Sequence, residues 1–243
     1  MTDNTKLTLS KEAIDILSKV TTATLTTLLL KKGLRNVWLR NTKPIRSGQP
    51  RLVGRAFTLR FVPAREDLAT PESWASPIST RAAIEDMPAG CIAVVDSMGV
   101  QDAGIFGDIL CARMVKRGVT ALITDGVVRD AAGVLGTGMN VWCNGVAAPP
   151  SVASLTFVDW QKPIACGGVA VFPGDVIVVD AGGALDNFLT VRATMISKAI
   201  FPDAAHIGDE KLFRQLGIFL CPFCIDDGGS NRQRARIGVV IGI

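Results

Sequence analysis

Residues 107–130, GDILCARMVKRGVTALITDGVVRD, open with Gly107-Asp108 and close with Arg129-Asp130, with twenty residues between the two pairs. An acid at one end, and a guanidinium beside a second acid at the other, form a set that can hold a small carboxylate or 2-oxo acid together with a divalent cation. Carboxylates with water as the remaining ligands favour Mg²⁺ or Mn²⁺, and an arginine grips a carboxylate through two parallel hydrogen bonds. The single histidine, His206, excludes a His-rich zinc site. Residue types alone leave a plainer assignment open, in which Asp108 caps a helix and Arg129-Asp130 is a surface turn.

Whether the two pairs meet depends on the elements around them. CIAVVDS, residues 91–97, is a β-branched apolar run suited to a strand buried on both faces. GDILCARMVKRG reads as a helix ending at Gly118, and VTALITDG as the next strand. In such a unit with a right-handed crossover, the loops leaving the two strands lie on one edge of the sheet, the edge at which open α/β sheets bind ligands. Asp108, Arg129 and Asp130 then share a rim. Amides at the helix start, from Gly107 through Ile109 to Leu110, face the same rim and favour an anion. Lys116 sits about two to three helical turns away, which disfavours a Schiff-base mechanism.

The remaining chain supports a mixed architecture. Thr8 or Ser10 can cap a helix through KEAIDILSKV, and TTATLTTLLLKKG predicts a second helix stopped by Gly33. Residues 35–50 read as a connection, 52–62 as a strand, and 63–79 as a long loop. Short strands are expected in NVWC, SLTFVDW, IACGGVAVF and GDVIVVD, which places the α/β unit within a mainly β scaffold. From residue 187 no stable period is visible. The expected organisation is therefore one domain over 1–186 and a C-terminal extension over 187–243.

Composition narrows the class further. A chain of 243 residues that is 48% hydrophobic can bury a sizeable core, yet no run approaches the roughly eighteen apolar residues of a membrane span. The polar N-terminus lacks a secretory apolar run, so a cytoplasmic, non-membrane protein is expected. Its six cysteines then read as reduced, mostly buried thiols. Cys221-Pro-Phe-Cys224 lacks the second pair that a zinc site requires. Residues 1–60 carry twelve Lys or Arg against three acids, a density that can attract an acidic partner or nucleic acid. No aromatic RNA-binding sequence accompanies it, so nucleic-acid binding is not expected and a solvated connection is favoured.

The 107–130 segment resembles the Gly-Asp/Glu, twenty residues, Arg-Asp motif of the RraA-like family, which contains 4-hydroxy-4-methyl-2-oxoglutarate aldolases and the regulator of ribonuclease activity A. CGGVAVFPGDVIVVDAGG, residues 166–183, is similar to a second stretch of that family, and the resemblance covers about residues 20–183. It implies an α/β fold of three β/β/α layers, of the swivelling type, with a helical N-terminal section and assembly as a homotrimer or hexamer. Carried over by position, Asp130 would bind the divalent metal and Arg129 would contact the pyruvyl substrate. Gly107, Asp108, Ile109 and Leu110 would supply backbone amides and an acid that holds a metal-bound water.

On this reading the metal takes the C1 carboxylate and C2 oxygen of the 2-oxo acid, Arg129 neutralises the same developing charge, and the water oriented by Asp108 accepts the hydroxyl proton. Loss of CO₂ from oxaloacetate gives the same enolate, so decarboxylation is an expected companion. The regulator branch lacks part of the motif, whereas both halves are present here, which favours the enzyme over a non-catalytic regulator that binds an endoribonuclease. The chain departs from the family after Asp180: DAGGALDNFLTVRATMISK stands where the family carries a C-terminal helix with glutamates, and Glu210 is a substitute only by elimination. Groups that select the 2-oxo acid are expected in the 63–79 loop or on an adjacent subunit.

Overall fold

The computed structural model describes Leu9 and residues 11–186. Helices α1 (Lys11–Leu17) and α2 (Thr22–Lys31) open it. Thr21 caps α2, its hydroxyl accepting from Thr24 N at 3.2 Å. Residues 35–50 are not a plain connection, since they contain strands β1 (Trp38–Leu39) and β2 (Lys43–Pro44), each of two residues. Next comes β3 (Leu52–Pro63). The 63–79 loop includes a short 3-10 turn at Pro71–Ala75 and leads into α3 (Thr80–Asp86).

The alternating part follows as β4 (Ile92–Asp96), α4 (Asp108–Lys116), β5 (Ala121–Thr124), α5 (Ala131–Gly136) and β6 (Val141–Cys143). Five further strands complete the described chain: β7 (Leu155–Trp160), β8 (Ile164–Cys166), β9 (Val169–Val171), β10 (Val176–Asp180) and β11 (Gly183–Asp186). The single strand expected over 164–172 is a hairpin instead. Gly167 and Gly168 make its turn with φ of 58° and 74°, values that side chains with a Cβ rarely adopt.

The sheet runs β1-β11-β10-β3-β4-β5-β6-β2, with β7 alongside β3. β3 joins its two halves. The start of β3 pairs antiparallel with β10, while Ala56 to Arg60 pair in parallel with Ile92 to Asp96 of β4 and its end pairs with β7. The mixed sheet curls into a half-barrel, and the fold is α/β as expected.

Alternation along each strand builds the layers. Ala93, Val95, Leu122 and Val141 face Ile84, Met114 and Val134 of the three later helices. On the other face, Ile92, Val94, Ile123 and Trp142 meet Ile164 and Val171 of the hairpin and Ile177 and Val179 of β10. The outward residues Val176 and Val178 of β10 pack under Leu25 and Leu29 of α2. Full burial of each such side chain contributes about 1.5–3 kcal/mol, and these clusters, rather than helix propensity, hold the short helices in place.

Cys91, Cys111, Cys143 and Cys166 are free and buried. Burial pushes the thiols of Cys91 and Cys111 up to about 12, so they behave as small apolar groups. His206, Glu210, Cys221 and Cys224, along with the capping residues Thr8 and Ser10, lie outside the described residues. Among the described residues, no single helix is long and apolar enough to cross a membrane.

Asp180, at the end of β10, fastens α2 to the sheet. Its Oδ2 accepts from Thr22 N at 2.9 Å, and its Oδ1 accepts from Thr22 Oγ1 at 2.7 Å and Gly182 N at 2.8 Å. Burial pushes this carboxyl up, but those bonds and Arg51 at 3.4 Å together hold it below the usual aspartate range. Asp180→Ala should cost about 1–3 kcal/mol of stability in urea unfolding. Because the folded value is depressed, the stabilisation is complete above the ordinary carboxylate value near 4 and is lost as pH falls through the lower folded value. The gap between wild type and variant should therefore narrow in acid.

Candidate functional site

Beyond the ends of β4 and β5, the two chain segments stay side by side. Gly104 bridges in parallel to Val127, Ile105 N donates to Val127 O at 3.0 Å, and Arg129 N donates to Phe106 O at 2.9 Å. Phe106 and Val128 are fully buried and anchor the pair. This ladder delivers Gly107-Asp108 and Arg129-Asp130 to one place. The approach is so close that a Cβ on Gly104 would lie 2.6 Å from Arg129 N, and one on Gly107 would lie 2.7 Å from Asp130 Oδ2.

Asp130 has φ 53° and ψ 48°, a left-handed conformation that Asp tolerates better than most residues, and it immediately precedes α5. The turn folds its carboxylate back onto its neighbour, and Arg129 Nε donates to Asp130 Oδ2 at 2.9 Å. Asp108 opens α4. Its Oδ1 accepts from Ile109 N at 2.7 Å, so one of the first-turn amides expected to face a ligand is already engaged. The Asp108 side chain lies over Gly133 of α5, where a Cβ would come within 2.7 Å of Asp108 Cβ.

Gly107, Asp108, Ile109, Leu110, Arg129 and Asp130 all line a single cavity of about 290 Å³. The three charged side chains thus open into a shared space. The same cavity is lined by Trp74, Thr80, Arg81 and Ser151, which the spacing argument did not find. Trp74 was accessible to it in principle, as the one aromatic residue of the 63–79 loop. Arg81 was hidden because α3 has only seven residues, too few for a helical period to register.

Among the described residues, the acids lining the cavity are Asp108 and Asp130. Within the same residues, no group of three or more His, Cys, Asp or Glu is placed to hold a metal ion. A cation here would take one or two carboxylate oxygens and fill its other positions with water or ligand oxygens. That donor set fits Mg²⁺ or Mn²⁺ and does not fit a structural zinc. Arg129, with the remaining first-turn amides of α4, would face an anion placed beside such a cation.

A family model described as "RraA-like: Aldolase/RraA" matches residues 19–185. Protein DlpA of Legionella pneumophila is 27% identical over 147 residues, which are 60% of this chain and 23% of that protein. A Halalkalibacterium halodurans protein named "Putative 4-hydroxy-4-methyl-2-oxoglutarate aldolase" is 31% identical over 94 residues, 39% of this chain and 44% of that protein. The matched region thus spans less than half the length of these two curated relatives. Among solved structures, Streptomyces coelicolor RraAS2, described as an unusual member of the RNase ES inhibitor RraA protein family, is similar with a TM-score of 0.67. It is 29% identical, and the match covers 79% of this chain and 95% of that one.

Gly133→Ala separates stability from site geometry. Alanine in a helix gains roughly 0.5–1 kcal/mol over glycine, but here the new Cβ must displace Asp108. Thermal unfolding should shift by only a few degrees, while a crystal structure of the variant should show the Asp108 side chain displaced from its place over α5.

Proposed function

The chain belongs to the RraA-like (Aldolase/RraA) family, and from that membership and the shared cavity we propose that it is a divalent-metal-dependent lyase. It cleaves 4-hydroxy-2-oxo acids, such as 4-hydroxy-4-methyl-2-oxoglutarate, to pyruvate, and it decarboxylates oxaloacetate. The observation that carries this reading is the convergence of Asp108, Arg129, Asp130 and the first turn of α4 on one cavity. The proposal includes a cytoplasmic location and assembly as a homotrimer or hexamer.

Both reactions leave an enolate, so the site must stabilise negative charge on the former keto oxygen. Asp130, with Asp108 near it, would hold Mg²⁺ or Mn²⁺, which supplies Lewis-acid stabilisation of that charge when bound. Arg129 contributes a guanidinium at the same wall and neutralises the charge as it develops. The α4 amides not engaged by Asp108 receive the substrate carboxylate. Asp108 keeps Oδ1 on Ile109 N and would orient, through Oδ2, the water that accepts the 4-hydroxyl proton. Among the described residues no lysine lines the cavity, and Lys116 closes the far end of α4, so none of them places an amine for a Schiff base.

A second reading is favoured by the description of RraAS2 as belonging to a family of RNase ES inhibitors. In it the chain is a non-catalytic regulator that binds an endoribonuclease through its basic N-terminal section. Capture of an endoribonuclease that survives Asp130→Ala but is lost on charge reversal between Lys31 and Arg51 would support this alternative.

For the enzymatic reading, a coupled assay should detect pyruvate from 4-hydroxy-4-methyl-2-oxoglutarate or oxaloacetate with Mg²⁺ or Mn²⁺, and EDTA should remove it reversibly. Asp130→Ala should lower kcat/KM by roughly 10²–10³. Absence of turnover across a panel of 4-hydroxy-2-oxo acids would overturn it.

A further inference from the structure

Arg81 is the cavity-lining cation that the proposed chemistry does not use. It is the second residue of α3, is exposed, and holds its guanidinium 5.8 Å from the centroid of the Trp74 ring. Arg113 and Arg65, which the proposed chemistry also leaves unused, are paired with Glu85 and Asp67. Among the described residues, Arg81 has no carboxylate within ion-pair distance. Stacking on an indole orients a guanidinium without neutralising it.

The charge of the cavity points the same way. Among the described residues, the ionisable groups of its lining are Arg81, Arg129, Asp108 and Asp130, whose charges cancel. A divalent cation held by the acids would leave an excess matched by a doubly negative ligand. Arg129 and the α4 turn serve one end of such a ligand, whereas Arg81, Thr80 and Trp74 come from separate chain segments and can serve another. The Trp74 ring offers apolar surface for the carbons between them.

We propose that Arg81, seated on Trp74, binds the second carboxylate of a 2-oxo dicarboxylate and makes the site selective for dicarboxylic over monocarboxylic 2-oxo acids. This rests on the reading of the cavity as a 2-oxo acid site. Arg81 does not touch the reacting atoms. It sets which substrate is retained, so its loss should act on KM far more than on kcat.

The test is calorimetric titration of the 243-residue chain in Mn²⁺ buffer with 2-oxoglutarate and with 2-oxobutyrate, neither of which carries a 4-hydroxyl group to be cleaved. Wild type should bind the dicarboxylate roughly ten- to a hundredfold more tightly. Arg81→Gln should erase that preference while leaving 2-oxobutyrate within about twofold, and Arg81→Lys should restore part of it. Equal affinities in wild type, binding of neither compound, or a preference that persists in Arg81→Gln would each overturn the proposal. Pyruvate release separates the two readings. An Arg81-dependent preference without turnover of any 4-hydroxy-2-oxo acid upholds the carboxylate site and defeats the lyase. Turnover of mono- and dicarboxylic substrates that is equally indifferent to Arg81 upholds the lyase and defeats the carboxylate site.

Discussion

The candidate site depends on two backbones lying closer than side chains would allow. Residues 104–107 and 127–130 run past the ends of their strands and remain hydrogen-bonded, with Ile105 N to Val127 O at 3.0 Å and Arg129 N to Phe106 O at 2.9 Å. Those bonds have ordinary ladder lengths, but where the two segments cross at Gly104 there is no room for a side chain, since a Cβ there would lie 2.6 Å from Arg129 N. Once the ladder is formed, the positions of Asp108, Arg129 and Asp130 follow from it. A parallel pair of strands can be read for several residues beyond its core, and here the extension carries the charged residues of the cavity.

The rest of the fold keeps that edge of the sheet rigid. β4 and β5 are buried along their whole length, and buried carboxylates tie the hairpin layer to their ends. Asp96 Oδ2 accepts from Ala165 N at 3.1 Å, while Asp125 accepts from Ser97 N at 3.0 Å and from Gly167 N at 3.1 Å. Such carboxylates are satisfied by backbone donors rather than by cations. They belong to the scaffold even though they lie in sequence between the residues that line the cavity.

Sequence reasoning recovers this unit because its signals are strong and local. The run from Cys91 to Asp125 is β-branched, then amphipathic, then β-branched again, and the handedness of the crossover does the remaining work. It fails where an element is too short to carry a period, as in the two-residue strands β1 and β2 and the six-residue helix α5. The hairpin at Gly167-Gly168 was hidden for another reason: apolar residues continue on both sides of the turn, so only the paired glycines marked it. Trp74 and Arg81 could not be placed because they reach the cavity from a loop and a short helix whose packing is tertiary. The family resemblance added the chemical roles, which spacing alone left open.

Glycine at 104, 107 and 133 gives the cavity two kinds of boundary. At these three positions an added side chain would intrude on Arg129, Asp130 or Asp108, so mutation there has almost no freedom. On the side of Trp74, Thr80, Arg81 and Ser151, the boundary is made of side chains. Evolution can therefore diversify what this pocket accepts wherever side chains form its wall, leaving the Asp108, Arg129 and Asp130 cluster untouched while the choice of guest drifts.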